Sequence, residues 1–138
     1  MQIYRRPWRR HAPDTEFEVA GLVSLPRVDI AYSYGGADGT VVDALVAAGA
    51  QGIVSAGLAP GIPAPLERIA LERARDAGVV VVQSSRAGSG RVALRRYLDE
   101  AGMVAADNLN PQKARILLML ALTQTSDVGE IRRMFTVY

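Results

Sequence analysis

The sequence of 138 residues contains no cysteine, which excludes disulfides, thiolate catalysis and cysteine-based zinc sites. It contains one histidine, His11, between Pro7 and Pro13. Nucleophilic catalysis by serine or threonine needs a general base held beside the hydroxyl. We do not expect a single histidine in a segment interrupted by prolines to be held in that position. Neither G-x-G-x-x-G nor a P-loop motif occurs, so nucleotide phosphate binding has little support. We therefore expect no catalytic residue in this chain.

Long apolar runs are also missing. None approaches the roughly 20 residues that cross a membrane, and the first residues lack the apolar stretch of a secretion signal. We expect no membrane partner. The expected location is cytoplasmic for the chain as given, and periplasmic or secreted if a longer parent protein carries a signal peptide.

The net charge is only +2. Four arginines near the start alternate with aromatic residues, a composition typical of nucleic-acid-binding arms. Three acidic residues follow closely and offset most of that charge, so we expect no nucleic-acid partner. The residues are Arg5, Arg6, Arg9 and Arg10, with Tyr4 and Trp8, followed by Asp14, Glu16 and Glu18.

The chain divides into two parts. Residues 1–26 contain Pro7, Pro13 and Pro26, which interrupt any helix, and we expect them to form an extended linker arm. From residue 27, short β-rich runs alternate with helical patterns. We therefore expect residues 27–138 to form one α/β domain.

The alternation predicts strands at 28–34, 53–56, 79–82 and 103–106, and helices at 40–48, 64–77, from Pro111 onward and after Asp127. The four consecutive valines at 79–82 favour a strand buried on both faces, as in a parallel sheet. We predict a three-layer α/β sandwich with a parallel sheet of about four strands. The β-α-β-α-β order further predicts a doubly wound sheet with right-handed crossovers.

Helical spacing predicts which faces are buried. The first helix is expected to bury Val41, Ala44, Leu45 and Ala48. The second is expected to bury Leu66, Ile69, Ala70, Arg73, Ala74 and Ala77, with Glu67 pointing elsewhere. Residues 116–122 are all apolar, which indicates a helix in the core, or in the core and a subunit interface.

In an open α/β sheet, ligands meet the loops at the carboxyl ends of the strands, here residues 33–39, 57–65 and 84–99. The glycines of residues 57–63 can bring backbone N–H groups to a ligand, although a plain turn is the favoured interpretation. The side chains of Ser84, Ser85 and Arg86 can bind a carboxylate or amide of a ligand. The favoured interpretation is that they fix the conformation of their own loop. Asp99 and Glu100 form an adjacent acidic pair, for which a solvated position is favoured.

The segment Leu109-Asn110-Pro111-Gln112-Lys113-Ala114-Arg115 begins a helix, since Asn110 suits the N-cap and Pro111 the first helical position. Together with four other segments, it resembles the C-terminal domain of bacterial type II L-asparaginases from about Tyr4 to Tyr138. The other segments are Arg9-Arg10-His11, Ser84-Ser85-Arg86-Ala87-Gly88-Ser89-Gly90, Leu120-Ala121-Leu122-Thr123 and Phe135-Thr136-Val137-Tyr138.

The resemblance implies hydrolysis of the side-chain amide of asparagine, and often glutamine, through an acyl-enzyme on a threonine, without metal or cofactor. In that family the threonine lies in a T-G-G-T-I motif, and further catalytic residues in T-D-T and later segments, of an N-terminal domain. None of these motifs occurs in this sequence. We therefore expect the chain alone to be inactive and to need an N-terminal domain.

The resemblance also implies a role for the C-terminal domain. In the family's dimer it closes the neighbouring subunit's site with an Asn from the loop after its second strand and a Glu from the loop after its third. The Asn position aligns with Ile62. Pro60, which precedes Gly61, stands at another position that is commonly polar in the family. The Glu position falls in a gapped stretch at 95–97, leaving Asp99 or Glu100 as its substitute.

Two hypotheses remain from the sequence. The chain is the C-terminal domain of an L-asparaginase, or it is a stand-alone binding or interaction module that completes no catalytic site. In either case we expect residues 116–122 and neighbouring apolar surface to form an interface, either in a homo-oligomer or with an asparaginase N-terminal domain.

Overall fold

The computed structural model describes residues 9, 10 and 14–138. Its strands and helices alternate as predicted through the third strand. A short helix that was not predicted precedes the fourth strand, and two helices follow it. The elements are β1 (Val28–Tyr32), α1 (Thr40–Ala47), β2 (Gly52–Gly57), α2 (Pro65–Asp76), β3 (Val80–Ser85), α3 (Arg96–Glu100), β4 (Val104–Ala105), α4 (Pro111–Leu122) and α5 (Val128–Val137). His11 and most of the basic-aromatic arm lie outside the described residues.

The four strands form one parallel sheet, as predicted. The valine run lies in its centre and is buried on both faces. Val80 and Val82 pack into the cluster that contains α4 and α5, whereas Val79 and Val81 pack into the cluster on the other face. A strand with apolar side chains on both faces is stable only between two helical layers, which confirms the three-layer sandwich.

The spatial order of the strands is β1-β2-β3-β4, without a reversal. Buried residues of α1, α2 and α3 share one core cluster, which shows that all three connecting helices cover the same face. The opposite face is covered by α4 and α5, after the last strand. The expected doubly wound arrangement is therefore wrong, because that arrangement requires the strand order to reverse at a switch point.

Helix α4 begins as predicted. Asn110 Oδ1 accepts a hydrogen bond from the N–H of Lys113 at 2.9 Å, and Pro111 follows at the first helical position. The helix lies directly on β2: a Cβ atom added to Gly52 would be 2.7 Å from Leu118 Cδ2. A residue without a side chain is thus required in the strand for α4 to approach this closely.

The apolar run of α4 is not buried all round. Leu117 and Leu118 are buried, but Ile116 is 50% exposed, and the side chains of Met119, Leu120 and Leu122 are half-buried. Helix α5 is capped as predicted, since Asp127 Oδ1 accepts from the N–H of Glu130 at 2.8 Å. Its buried residues are Ile131, Met134 and Phe135.

The predicted buried faces of α1 and α2 are wrong in part. Helix α1 buries Val42 and exposes Val41, and α2 exposes Leu66 and Ile69. Helix α2 buries Ala70 and Ala74 as predicted, but also Leu71 and Glu67. The Glu67 carboxylate folds back toward the start of α2, where Oε2 is 3.4 Å from the backbone nitrogen of Ala64.

Candidate functional site at the carboxyl edge of the sheet

The loops that follow β1, β2 and β3 meet at the carboxyl edge of the sheet, as predicted. Arg86 joins them: its backbone N–H donates to Gly57 O at 2.9 Å, and its guanidinium donates to Ser33 O at 2.8 Å. The same guanidinium lies 5.4 Å from the centre of the Tyr32 ring, a cation–π contact. One arginine therefore holds three loops in a common arrangement.

Residues 57–62 form a tight turn. Leu58 and Ile62 exchange both backbone hydrogen bonds, at 2.7 and 2.8 Å. A Cβ atom on Gly57 would lie 2.5 Å from the backbone of Gly61, and Gly61 itself has φ +101°. Both glycines are thus required by the turn, which supports the favoured interpretation. The turn exposes Pro60 and leaves the Ile62 side chain 49% exposed at the edge.

The hydroxyl groups at this edge hold loops. Ser84 donates to Leu109 O at 2.8 Å, and Ser85 accepts from the N–H of Ala87 at 3.2 Å. Buried Ser33, which sequence reasoning did not single out, accepts from the N–H of Ala64 at 3.0 Å. Its place within the first candidate loop was the only available signal. These contacts agree with a structural role for Ser84, Ser85 and Arg86.

Asp99 and Glu100 are not brought to this edge. Both lie in α3, whose end is fixed by Arg75 from the last turn of α2 through a hydrogen bond to Ala101 O. Since α2 runs from the carboxyl edge back to the start of β3, this contact places them at the opposite, amino-terminal edge. Asp99 Oδ1 accepts from Arg132 at 2.6 Å, and Glu100 pairs with Arg96. The structure therefore separates them from Pro60, Gly61 and Ile62.

The loop after β1 contains a carboxylate with a lowered pKa, Asp38. The backbone N–H of Thr40 hydrogen-bonds to the Asp38 carboxylate at 3.0 Å and holds its pKa below the ordinary value. Within residues 9, 10 and 14–138, no three His, Asp or Glu side chains are grouped so that they can hold a metal ion. The arrangement provides hydrogen-bonded loop surfaces for contact with a ligand or a partner.

A second surface lies along α4. The exposed flank of this helix, residues 15 and 17 of the arm and the C-terminal residue form an open apolar groove of about 430 Å³. Its lining comprises Thr15, Phe17, Leu109, Lys113, Ile116, Leu117, Leu120 and Tyr138. No helix in the described part of the chain has the length and apolar character to span a membrane.

Comparisons with known proteins give a consistent result. The family model described as glutaminase/asparaginase C-terminal domain matches residues 27–135. The chain is 45% identical over 140 residues to L-asparaginase 2 of Escherichia coli, covering all of this chain and 40% of that protein. It is 45% identical over 133 residues to a probable periplasmic L-asparaginase of Haemophilus influenzae, covering 95% of this chain and 38% of that protein.

A solved structure agrees with these matches. The crystal structure of a probable cytoplasmic L-asparaginase from Campylobacter jejuni superimposes with a TM-score of 0.95 at 40% identity. The superposition covers 99% of this chain and 45% of that one. The chain spans about two fifths of the length of the curated relatives it matches.

Proposed function

This chain belongs to the glutaminase/asparaginase C-terminal domain family, and we propose that it acts as the C-terminal domain of an L-asparaginase. The whole enzyme hydrolyses L-asparagine, and often glutamine, to the corresponding acid and ammonia. The observation that supports this most is a 45% identical relative, L-asparaginase 2, matched along the entire chain. The hydrogen-bonded loop edge is consistent with a part that completes a site whose nucleophile lies elsewhere.

In this proposal the chain supplies surface and position, and an N-terminal domain supplies the threonine nucleophile and its base. Acyl transfer requires an activated nucleophile beside an oxyanion site, so the chain alone is inactive. The turn at 57–62 faces the neighbouring subunit's substrate. Pro60 and Ile62 offer apolar contact where family members carry polar residues, so the N-terminal domain must hold the charged groups of the substrate.

We also propose that the chain assembles with further copies through the exposed flank of α4. Ile116 is half exposed in an apolar groove, which is unusual for a surface that remains in water. Leu118 on the same helix is not suitable for this test, because it is fully buried and a substitution there would perturb the core. Ile116→Glu should reduce the oligomer in light scattering while the chain remains folded, and Val41→Glu on α1 is the matched exposed control. A wild-type chain that is monomeric at all concentrations contradicts this interface.

The location is proposed to follow the parent protein. Relatives include one named periplasmic and one named cytoplasmic, so the family is compatible with both compartments. Cytoplasmic retention is expected for the chain as given, and export if a parent protein carries a signal peptide. Cell fractionation of the source organism with antibodies to this chain distinguishes the two.

A chimera tests the proposed activity. Residues 27–138 replace the matching C-terminal part of E. coli L-asparaginase 2, and ammonia release from asparagine is measured. The chimera should be active with a raised KM, and Ile62→Asn should lower that KM about tenfold, the effect of one hydrogen bond of about 1.4 kcal/mol. Leu66→Asn, exposed on α2, is the matched control and should leave KM unchanged.

The contradicting outcome is equally definite. A folded, oligomeric chimera without any hydrolysis of asparagine or glutamine favours the alternative, a binding or interaction module that completes no catalytic site. Circular dichroism and light scattering on the same preparation establish that the chimera is folded and assembled.

A further inference from the structure

The turn after β4 contains a residue with unusual backbone geometry. Asp107 has φ +53°, and within residues 9, 10 and 14–138 it is the only non-glycine residue with a positive φ. Aspartate tolerates this left-handed conformation better than most residues, although at some cost. Its side chain is only 18% exposed. A strained, largely buried carboxylate in a turn indicates a specific role for that side chain.

The Asp107 carboxylate connects segments that are distant in sequence. Oδ2 accepts a hydrogen bond from Arg9 in the arm, and Oδ1 accepts from Nε of Arg91 at 2.5 Å. Arg9 also donates to Phe135 O, near the end of α5, at 2.9 Å. Burial lowers the pKa of the Arg9 guanidinium, and the charge of Arg91 lowers it further. The carboxylate therefore offsets repulsion between two arginines that the fold holds close together.

The backbone of Asp107 continues this connection to the loop after β3. Asp107 and Val92 exchange both backbone hydrogen bonds, at 2.8 and 3.1 Å. Val92 is 3% exposed, whereas every other residue from 86 to 95 is exposed or half-buried. This pairing is consequently a second anchor of that loop, beside the contacts of Arg86.

Val92 in turn supports the turn after β2. A Cβ atom on Gly61 would lie 2.5 Å from Val92 Cγ2, so the valine side chain packs directly on the Gly61 backbone. Movement of Val92 therefore removes the support beneath residues 57–62. The contacts run without a gap from Arg9 through Asp107 and Val92 to Gly61.

We propose that Asp107 is a positioning residue that fixes the loops after β2 and β3 and couples them to the arm. The inference rests on the proposed function in so far as these loops face substrate. The side chain does not itself contact substrate. It acts through Val92 on the turn that carries Ile62.

Hydrogen exchange by NMR on the 138-residue chain tests the coupling. Asp107→Asn keeps the shape and tolerates the backbone conformation but removes the charge. The amides of Val92 and Ile62, both hydrogen-bonded, should exchange about tenfold faster, and the Val82 amide in the core should not change. Asp43→Asn removes the exposed pair with Arg73 and is the matched control, with no effect at either loop.

Val92→Ala separates the two links, because it removes the packing on Gly61 and leaves the carboxylate and its arginines in place. It should accelerate exchange at Ile62 as strongly as Asp107→Asn does. Unchanged exchange at Ile62 in Asp107→Asn overturns the proposal. Equal acceleration at Val82 also overturns it, since that result means general destabilisation.

The catalytic consequence is measured in the chimera extended to residues 1–138, which retains Arg9. Asp107→Asn should raise KM for asparagine about tenfold with a smaller change in kcat, and Asp43→Asn should change neither. Unchanged kinetics despite faster loop exchange overturns the catalytic consequence. If the unmodified chimera is inactive, the proposed function fails, whereas the exchange measurement still decides whether Asp107 positions the loops.

Discussion

The contact between Gly52 and Leu118 sets how closely α4 approaches the sheet, and Gly52→Ala perturbs it with one methyl group. The added Cβ would lie 2.7 Å from Leu118 Cδ2, closer than Cβ atoms approach in folded proteins, and 3.1 Å from Val28 Cγ2, which is tighter than an ordinary contact. Overpacking of this kind costs about 1–3 kcal/mol. Replacing glycine by alanine also reduces the entropy of the unfolded chain, which stabilises by about 0.4–1 kcal/mol. The net expectation is a loss of about 1–2 kcal/mol.

Urea and thermal unfolding measure this loss. With about 2.1 cal/mol/K per residue, the 138-residue chain has an unfolding entropy of about 0.3 kcal/mol/K, so Tm should fall by about 3–7 °C. Gly88→Ala is the matched control, because a Cβ there meets nothing within 4 Å and the residue has no positive φ. Its stability should remain within about 0.5 kcal/mol of the wild type.

A double-mutant cycle distinguishes this contact from a general effect of the substitution. Leu118→Ala alone should cost about 2–5 kcal/mol by leaving a cavity. In Gly52→Ala/Leu118→Ala the new methyl group occupies part of that cavity. The double variant should therefore be at least about 1 kcal/mol more stable than the sum of the single losses predicts. Additive losses, or a stabilised Gly52→Ala variant, would refute the close packing of α4 on β2.

Two further predictions concern α5. Asp127→Ala removes the hydrogen bond to the N–H of Glu130 and should cost about 1 kcal/mol in urea unfolding, and an unchanged midpoint would contradict the cap. The hydrogen bond from Arg133 lowers the pKa of Glu16 below its usual 4.5. The pairing therefore contributes its full stabilisation above pH 4.5, and this stabilisation is lost as the pH falls through the lower pKa of the folded state. Arg133→Gln should therefore flatten the acid-side loss of stability, whereas Arg68→Gln, in an exposed pair with Glu72, should leave that profile unchanged.

Features encoded locally could be predicted from the sequence. The valine run requires burial on both faces. Two helix starts are each specified within four residues, the first by Asn110 and Pro111 and the second by Asp127 and Glu130. Each of these signals depends only on neighbouring residues. For that reason the sheet and the two C-terminal helices agree with prediction.

Helix faces depended on tertiary context. In α1, Val41 and Val42 begin equally apolar stripes one residue apart, and only packing against the sheet selects Val42. In α2, Glu67 is buried because its carboxylate turns back to the helix start, which spacing alone does not indicate. Apolar periodicity therefore identified both helices but not their buried sides.

The candidate site was predictable as an edge of loops and not as a set of side chains. The carboxyl ends of parallel strands must lie together, so the loops could be identified without coordinates. The pairing of Asp99 with Arg132, and of Asp107 with Arg9, joins residues 33 and 98 positions apart. Contacts of that range follow from the folded chain and leave no local pattern in the sequence.

The most direct test of the central claim is ammonia release from asparagine by this chain mixed with the separately produced N-terminal part of E. coli L-asparaginase 2. The claim predicts no turnover by the chain alone, and turnover by the mixture well above that of the N-terminal part alone. Turnover by the purified chain alone would contradict it. So would a mixture that forms a complex by light scattering yet hydrolyses asparagine no faster than the N-terminal part does.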